Sequence, residues 1–256
     1  MSTEAGSRTA LVLGATGAVG KQLLLDVLKN GNYSRVITLG RRPAPLDDSI
    51  PQQNLEQKTV DFDNLEASRA EFRNVNDVYC CLGTTRADAG SAEAFRRIDQ
   101  TYVLNSAKII AEENKPTTAA AAAAESSTLS PVHFLYCSSK GSNKNSMFLY
   151  PQSKGQTEEG IIKAGFQRVS IFLPGFLEVQ EPRPRSRLGE QVLGAIFTPV
   201  NRYMNLHMAI PTSSVGQAMH KVAMQQQSKA VPADAKETKV EYYSNKDMED
   251  LTKPSE

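Results

Sequence analysis

Several features are scarce in this 256-residue sequence, and each scarcity excludes a class of protein. Three cysteines, two of them adjacent at Cys80 and Cys81, are too few for the disulfide framework of a small secreted domain. Neither sign of charge is in excess, because 29 lysines and arginines face 28 aspartates and glutamates, whereas a general nucleic-acid binder needs many uncompensated cations. We therefore expect a protein of a reducing compartment that does not bind nucleic acid.

Long apolar runs are also missing from the sequence, and we expect no targeting segment at its N-terminus. No run approaches the roughly 18 apolar residues of a membrane-spanning helix. Residues 1–8 contain neither the apolar core of a secretory signal nor an arginine-rich amphipathic helix. His207 and His220 have no acidic partner in view, so we expect no metal site. These features indicate a soluble protein, or one that contacts a membrane only at its surface.

Apolar strands alternate with amphipathic helices along most of the chain. The runs that predict strands are residues 9–13, 35–39, 58–62, 77–82, 132–137 and 168–173, and helical spacing predicts helices at residues 18–30 and 91–113. Strands that alternate with helices are typical of a parallel sheet covered on both faces. The sequence therefore predicts an α/β fold, a doubly wound parallel sheet in a single domain over residues 1–256.

Two stretches depart from this alternation. Residues 115–130 contain six consecutive alanines, which offer no large side chain to anchor them to a core, and predict a surface insertion. We expect residues 175–256 to contribute a small C-terminal substrate lobe, and the residues after Tyr243 to form a loosely held tail.

Glycines recur at every third position between the first strand and the first helix, at Gly14, Gly17 and Gly20. This spacing is related to the dinucleotide-binding fingerprint, in which glycine lets a pyrophosphate approach the free N–H groups of a helix N-terminus. The strand before it and the helix after it are the context that the motif requires. A glycine-rich turn without a ligand is the alternative, and the context favours a dinucleotide.

Arginine replaces the expected acid at the end of the second strand. NAD-binding proteins carry a carboxylate there for the ribose 2′-hydroxyl, whereas this chain has Arg41 and Arg42. Guanidinium groups suit a 2′-phosphate, so the pair favours NADP(H) over NAD(H), although a solvated surface pair is the alternative. Gly83, at the end of the fourth strand, permits close approach of a nicotinamide ribose. Cys80 and Cys81, just before it, are expected to be small core residues.

The most specific combination of residues follows the fifth strand. Ser138 and Ser139 end that strand, and Tyr150 and Lys154 follow, four residues apart and therefore on one face of a helix. An ammonium group stabilises a phenolate, which suits a tyrosine for proton exchange with a carbonyl or alcohol oxygen. A serine hydroxyl would hold and polarise the same oxygen. These residues do not decide between Ser138 and Ser139.

Together these segments resemble the atypical short-chain dehydrogenase/reductase family, close to the Tat-interacting oxidoreductase-like protein of animals and its fungal mitochondrial outer-membrane relatives. The segments that carry the resemblance are residues 13–21 (LGATGAVGK), 39–42 (LGRR), 60–65 (VDFDNL), 80–90 (CCLGTTRADAG), 95–103 (FRRIDQTYV), 138–155 (SSKGSNKNSMFLYPQSKG) and 172–177 (FLPGFL). The alanine-rich insertion departs from the family pattern. So does Leu173, which stands where relatives have arginine near the nicotinamide end of the cofactor.

The resemblance implies a Rossmann-like domain that binds NADPH and acts as an oxidoreductase on a small carbonyl or alcohol, with Tyr150 as the proton donor or acceptor. The cofactor positions that it implies are Thr16, Gly17, Ala18, Val19, Arg41, Arg42, Leu82, Gly83, Tyr150, Lys154, Leu177 and Arg187. Residues 178–187 are longer than in relatives, which leaves the Arg187 assignment open. The alternative is a regulatory or scaffold protein that binds NADPH and a protein partner without turnover. By resemblance the chain attaches peripherally to the cytosolic side of the mitochondrial outer membrane, or else is cytoplasmic. Its oligomeric state stays open.

Overall fold

A parallel sheet forms the centre of the computed structural model, which describes residues 8–116, 128–179, 208–227 and 235–253. The strands are β1 (Thr9–Leu13), β2 (Arg35–Gly40), β3 (Leu55–Thr59), β4 (Asp77–Cys80), β5 (Ser130–Cys137), β6 (Phe166–Leu173), β7 (Phe176–Glu178), β8 (Ala209–Pro211) and β9 (Lys239–Ser244). In these residues seven strands lie in the order β3-β2-β1-β4-β5-β6-β9, and each neighbouring pair is parallel. The predicted doubly wound parallel sheet is confirmed.

The strand order reverses between β1 and β4. Connections from β1 run to one side of the sheet and connections from β4 run to the other, so the carboxyl ends of these two strands border a crevice. Ligands of open α/β sheets bind in such a crevice. The short parallel pair β7–β8 begins just beyond the carboxyl end of β6, at the same edge of the sheet.

Helices cover both faces of the sheet. They are α1 (Ala18–Asn30), α2 (Arg86–Ala89), α3 (Ala92–Arg96), α4 (Tyr102–Glu113), α5 (Leu149–Lys163), α6 (Thr212–Gln227) and α7 (Asn245–Thr252), with a 3₁₀ helix at Leu65–Phe72 and a π-helical segment, Arg97–Thr101, between α3 and α4. Buried side chains of α1, α6 and α7 pack on one face, and those of α4, α5 and the 3₁₀ helix pack on the other. Among the described helices, none is both long and apolar enough to cross a bilayer.

The sequence placed β3 three residues too late. The apolar residues Val60 and Phe62 suggested a strand at 58–62, but both lie beyond Thr59, where the strand ends, and are buried in the core. The strand itself has mostly polar, half-buried residues because it lies at the edge of the sheet. An edge strand has one side open to water, so its sequence carries a weak apolar signal.

The prediction of a loose tail after Tyr243 was wrong. Strand β9 pairs with β6 and continues directly into α7. Ser244 and Asp247 form a reciprocal capping box at the start of this helix, and Met248 is fully buried beneath it. The cap satisfies the first backbone N–H groups and the methionine anchors the helix. Most of the alanine-rich stretch, residues 117–127, lies outside the described residues.

Candidate functional site

The turn between β1 and α1 requires glycine at its first position. Gly14 has a φ of +83°, and a methyl group added there would lie 2.6 Å from the carbonyl carbon of Cys81, at the end of the neighbouring strand. Within the described residues no side chain caps the first turn of α1, and Thr16 and Gly17 are exposed. The first N–H groups of α1 therefore point into the crevice without a side-chain partner, which suits a phosphate.

Replacing Gly14 by alanine should destabilise the protein more than the same change at Gly90, which follows α2. Both glycines have a φ of +83°, but nothing lies within 4 Å of a methyl group at Gly90. Each change costs about 1–3 kcal/mol of backbone strain, and only Gly14→Ala adds a clash with backbone atoms. Urea unfolding of the two variants measures the difference. If both variants lose the same free energy of unfolding, the contact with the Cys81 backbone does not contribute to the effect of Gly14→Ala.

Arg41 and Arg42 follow β2, directly beside the glycine turn. Both side chains are exposed, and neither forms an ion pair with another described residue. Their strand pairs with β1 in a register that sets Leu39 opposite Leu13, so both strands end at the same edge of the crevice. The two guanidinium groups are thus available to an anion bound at the N-terminus of α1.

A buried ion pair lies on the other side of the crevice. The ammonium group of Lys154, on α5, is 2.9 Å from the Asp99 carboxylate and donates a hydrogen bond of 3.1 Å to the Tyr136 hydroxyl. The second oxygen of Asp99 accepts a hydrogen bond of 3.1 Å from Ser153. A methyl group at Gly83 would lie 3.2 Å from the Asp99 carboxylate and 3.4 Å from the ammonium nitrogen. The pair therefore lies directly against the glycine that ends the β4 segment.

Lys154 stays charged although its side chain is buried. Burial opposes the charge, but Tyr136, Asp99 and Tyr150 together raise the pKa of Lys154 well above its ordinary value. Burial also raises the pKa of Tyr136, so this phenol is neutral and accepts the hydrogen bond from the ammonium group. Lys154 is thus a fixed cation at the edge of the crevice.

Tyr150 and Lys154 lie on one face of α5, as their spacing predicts. Tyr150 belongs to the first turn of the helix, is 42% exposed, and packs its ring 6.0 Å from that of Phe95. Its proximity to Lys154 contributes to the raised pKa of the lysine, but within the described residues no hydrogen bond joins the two side chains. The Tyr150 hydroxyl is therefore accessible to a molecule in the crevice.

The two serines after β5 differ in their surroundings. Ser138 is buried, and its hydroxyl donates a hydrogen bond to the Glu158 carboxylate on α5. Ser139 is half-buried, and among the described residues its hydroxyl makes only a 3.4 Å contact, with the carbonyl oxygen of Lys140. Ser138 therefore joins the strand end to α5, whereas the Ser139 hydroxyl is the more available to a ligand.

Sequence reasoning missed the residues that hold Lys154 and Ser138, which are Asp99, Tyr136 and Glu158. A continuous helix was predicted over residues 91–113, but a π-helical turn at Arg97–Thr101 interrupts it, and the fully buried Asp99 lies in this turn. One signal was available, because Asp99 lies four residues after Phe95 and four before Val103, on the buried stripe of the helix. A carboxylate on an apolar stripe requires a charged or hydrogen-bonding partner.

The remaining candidate residues have varied outcomes. Leu177 lies in β7 and packs against the core on the α1 face, whereas Arg187 and His207 lie outside the described residues.

The expectation that His220 lacks an acidic partner was wrong, because its Nδ1 is 2.6 Å from Asp26 on α1. This partner is distant in sequence, and the packing of α6 on α1 brings the two together. Cys80 is a buried core residue, as expected, and burial raises its pKa to about 12.

Comparison with curated proteins finds relatives over most of the chain. The rat protein HTATIP2 is 35% identical over 192 residues, which cover 74% of this chain and 72% of the relative. The mitochondrial protein FMP52-2 of Scheffersomyces stipitis is 30% identical over 247 residues, which cover 95% of this chain and 97% of the relative. No family model matches the sequence.

Comparison with solved structures finds the same fold in distant proteins. MoeE5 in complex with UDP-glucose and NAD superposes with a TM-score of 0.61 at 13% identity, covering 92% of this chain and 76% of that one. A short-chain type dehydrogenase/reductase from Mycobacterium ulcerans gives a TM-score of 0.58 at 16% identity, covering 94% and 90%. At such identities the similarity shows the fold alone, which is Rossmann-like.

Proposed function

The chain belongs to the family of rat HTATIP2 and the fungal mitochondrial FMP52 proteins, and from this premise we propose that it is an NADPH-dependent oxidoreductase of the short-chain dehydrogenase type. Its substrate is a small carbonyl compound or the corresponding alcohol. The observation that carries the proposal is the buried Asp99–Lys154 pair against Gly83. It holds a cation against Gly83 and one helical turn from the exposed Tyr150, where hydride and proton transfer would meet.

The residues of the crevice fit a dinucleotide with a 2′-phosphate. The uncapped N-terminus of α1 suits the pyrophosphate, and the space beside Gly14 and Gly83 is open because neither carries a side chain. Arg41 and Arg42, exposed beside that turn, would hold the 2′-phosphate. NADPH would supply the hydride, which this chain's own side chains cannot.

The side chains of the chain itself supply the proton and orient the substrate. The Tyr150 hydroxyl donates a proton to the carbonyl oxygen in reduction and removes it from the alcohol in oxidation. Lys154 stabilises the phenolate that forms, because its ammonium group is held close by Asp99 and Tyr136. Ser139 donates a hydrogen bond to the same substrate oxygen, since the Ser138 hydroxyl already bonds Glu158.

Calorimetric titration with NADPH and with NADH tests this proposal. We expect NADPH to bind at least about tenfold more tightly than NADH, because charge-assisted hydrogen bonds to the phosphate contribute about 1.5–3 kcal/mol each. The Arg41→Ala/Arg42→Ala variant should lose that preference and keep its NADH affinity, which serves as the internal control. Failure to bind either dinucleotide would overturn the proposal, and equal affinities would overturn the roles of the two arginines.

Exposed apolar residues beside the site favour a protein partner as a second candidate function. Met147 and Phe148, just before α5, are 98% and 78% exposed. A scaffold that binds NADPH and a protein through this loop would keep its partner when Tyr150 is changed to phenylalanine. An oxidoreductase would lose turnover instead.

We further propose peripheral attachment to the cytosolic side of the mitochondrial outer membrane. The support is that FMP52 relatives at about one-third identity or slightly less are named mitochondrial proteins. Protease treatment and alkaline extraction of isolated mitochondria test it. We expect the protease to degrade the protein while the outer membrane is intact, and alkaline extraction to release the protein from the membrane. Absence of the protein from isolated mitochondria would contradict the proposed location.

A further inference from the structure

Two cysteines that are far apart in sequence meet at the carboxyl ends of neighbouring strands. Strands β4 and β5 pair in parallel with Cys80 opposite Tyr136, so the residues that follow, Cys81 and Cys137, lie side by side. Both pack against the core on the α1 face, whereas Cys80 belongs to the core on the opposite face. Neighbouring strands are about 4.8 Å apart. That spacing lies within the Cα separation that a disulfide needs.

The two cysteines lie beside a third sulfur. The Cys81 thiol donates a weak hydrogen bond of 3.9 Å to the sulfur of Met219 on α6. Interaction between the two neighbouring thiols lowers the pKa of Cys137 and raises that of Cys81. Cys137 therefore carries the more nucleophilic sulfur, and Cys81 lies in place to react with it. Both residues are half-buried, whereas Cys80 is fully buried, so they are the two of the three cysteines that a small oxidant reaches more easily.

We propose that Cys81 and Cys137 form a reversible oxidation site, which a hydroperoxide converts to a disulfide and a thiol reductant restores. The Cys137 thiolate attacks the hydroperoxide, whose O–O bond breaks, so that a sulfenic acid forms and an alcohol leaves, or water from hydrogen peroxide. The Cys81 sulfur then attacks the Cys137 sulfur, the S–O bond breaks and water leaves. Two thiols lose two electrons and two protons, and the hydroperoxide is reduced by the same two electrons.

The position of this site connects it to the crevice. Cys81 immediately precedes Leu82 and Gly83, its carbonyl group packs against Gly14, and Cys137 immediately precedes Ser138. A bond between the two sulfurs would join the ends of β4 and β5 covalently and reorient the two side chains beneath the floor of the site. Resting on the proposed function, we expect the oxidised protein to bind NADPH about fivefold or more weakly, a typical strength of coupling between sites.

Thiol counting in the full chain tests the oxidation site without reference to NADPH. Hydrogen peroxide should reduce the number of free thiols from three to one, and a phosphine reductant should restore all three. Peptide mapping should find the Cys81 and Cys137 peptides linked, with the loss of two hydrogens. The matched control Cys80→Ala should fall from two thiols to none, whereas Cys137→Ser should form no internal disulfide.

The outcomes separate this inference from the proposed function. Three results would overturn the oxidation site while leaving NADPH binding intact. They are an unchanged number of free thiols after peroxide treatment, a disulfide that involves Cys80, and a disulfide that forms only between two protein molecules. If the reduced protein does not bind NADPH, the proposed function fails, and the thiol count still decides the oxidation site. If Cys137→Ser does not fold, the linked peptide from the unaltered chain decides it alone.

Discussion

Changing Tyr150 to phenylalanine should lower kcat for the carbonyl substrate by about 100- to 10,000-fold, the range that positioned acid–base groups contribute. The change removes one hydroxyl and keeps the ring that packs 6.0 Å from Phe95. We therefore expect the free energy of unfolding to stay within about 0.5 kcal/mol of that of the unaltered protein. NADPH affinity should change only a few-fold, since most of the cofactor contacts lie elsewhere.

Tyr242→Phe is the matched control for this variant. Tyr242 is 52% exposed on β9, away from the crevice between β1 and β4, and should keep full activity. A carbonyl screen with NADPH oxidation as the signal measures both variants. If Tyr150→Phe turns over as fast as the unaltered protein, Tyr150 is not the acid. If NADPH binds but the unaltered protein reduces no carbonyl in the screen, the scaffold function is favoured.

Local signals in the sequence predicted much of the fold and half of the site. The apolar runs of β1, β2, β5 and β6 are each followed by glycine, serine or proline, and a buried parallel strand shows its full apolar character. The glycine turn and the Tyr150–Lys154 spacing are likewise local, because a turn and a single helix each fix their own geometry. The capping box of α7 is a local signal too, because Ser244 and Asp247 lie three residues apart at the start of the helix.

The rest of the site depends on contacts between elements that are distant in the chain. Asp99 reaches Lys154 through a π-helical turn, and Ser138 reaches Glu158 only when α5 packs beside β5. Cys81 and Cys137 meet because β4 and β5 are neighbours in a particular register. The sequence does not specify the register of two strands without the sheet order, so the Cys81–Cys137 contact could not be predicted from spacing. The other two pairings depend on how the helices pack.

Changing Asp99 to leucine should be among the most destabilising single substitutions in the described part of the chain. Asp99 is fully buried, and its loss leaves the Lys154 ammonium group in the interior without its carboxylate. Breaking a buried ion pair in this way typically costs about 3–5 kcal/mol.

The Asp99→Leu/Lys154→Met double variant should recover most of that loss, because well-packed apolar residues often replace a buried pair at little cost. Urea unfolding of the single and double variants measures the coupling. A double variant as unstable as Asp99→Leu would show that packing, not charge, is responsible.

The pH dependence of unfolding separates these explanations further. In the unaltered protein, burial lowers the pKa of Lys154, but Tyr136, Asp99 and Tyr150 raise it further, so the net shift is upward. A raised pKa in the folded state stabilises the fold. This stabilisation is complete below about pH 10, where the lysine of the unfolded chain is protonated as well. Without Asp99, burial opposes the lysine charge and the neutral Tyr136 phenol offers it only a hydrogen bond, so we expect the folded chain to hold the proton less firmly than the unfolded chain does. The unfolded state then binds more protons, and stability must rise with pH. The deficit of Asp99→Leu should therefore narrow between pH 7 and pH 10, whereas a deficit caused by packing alone would stay constant.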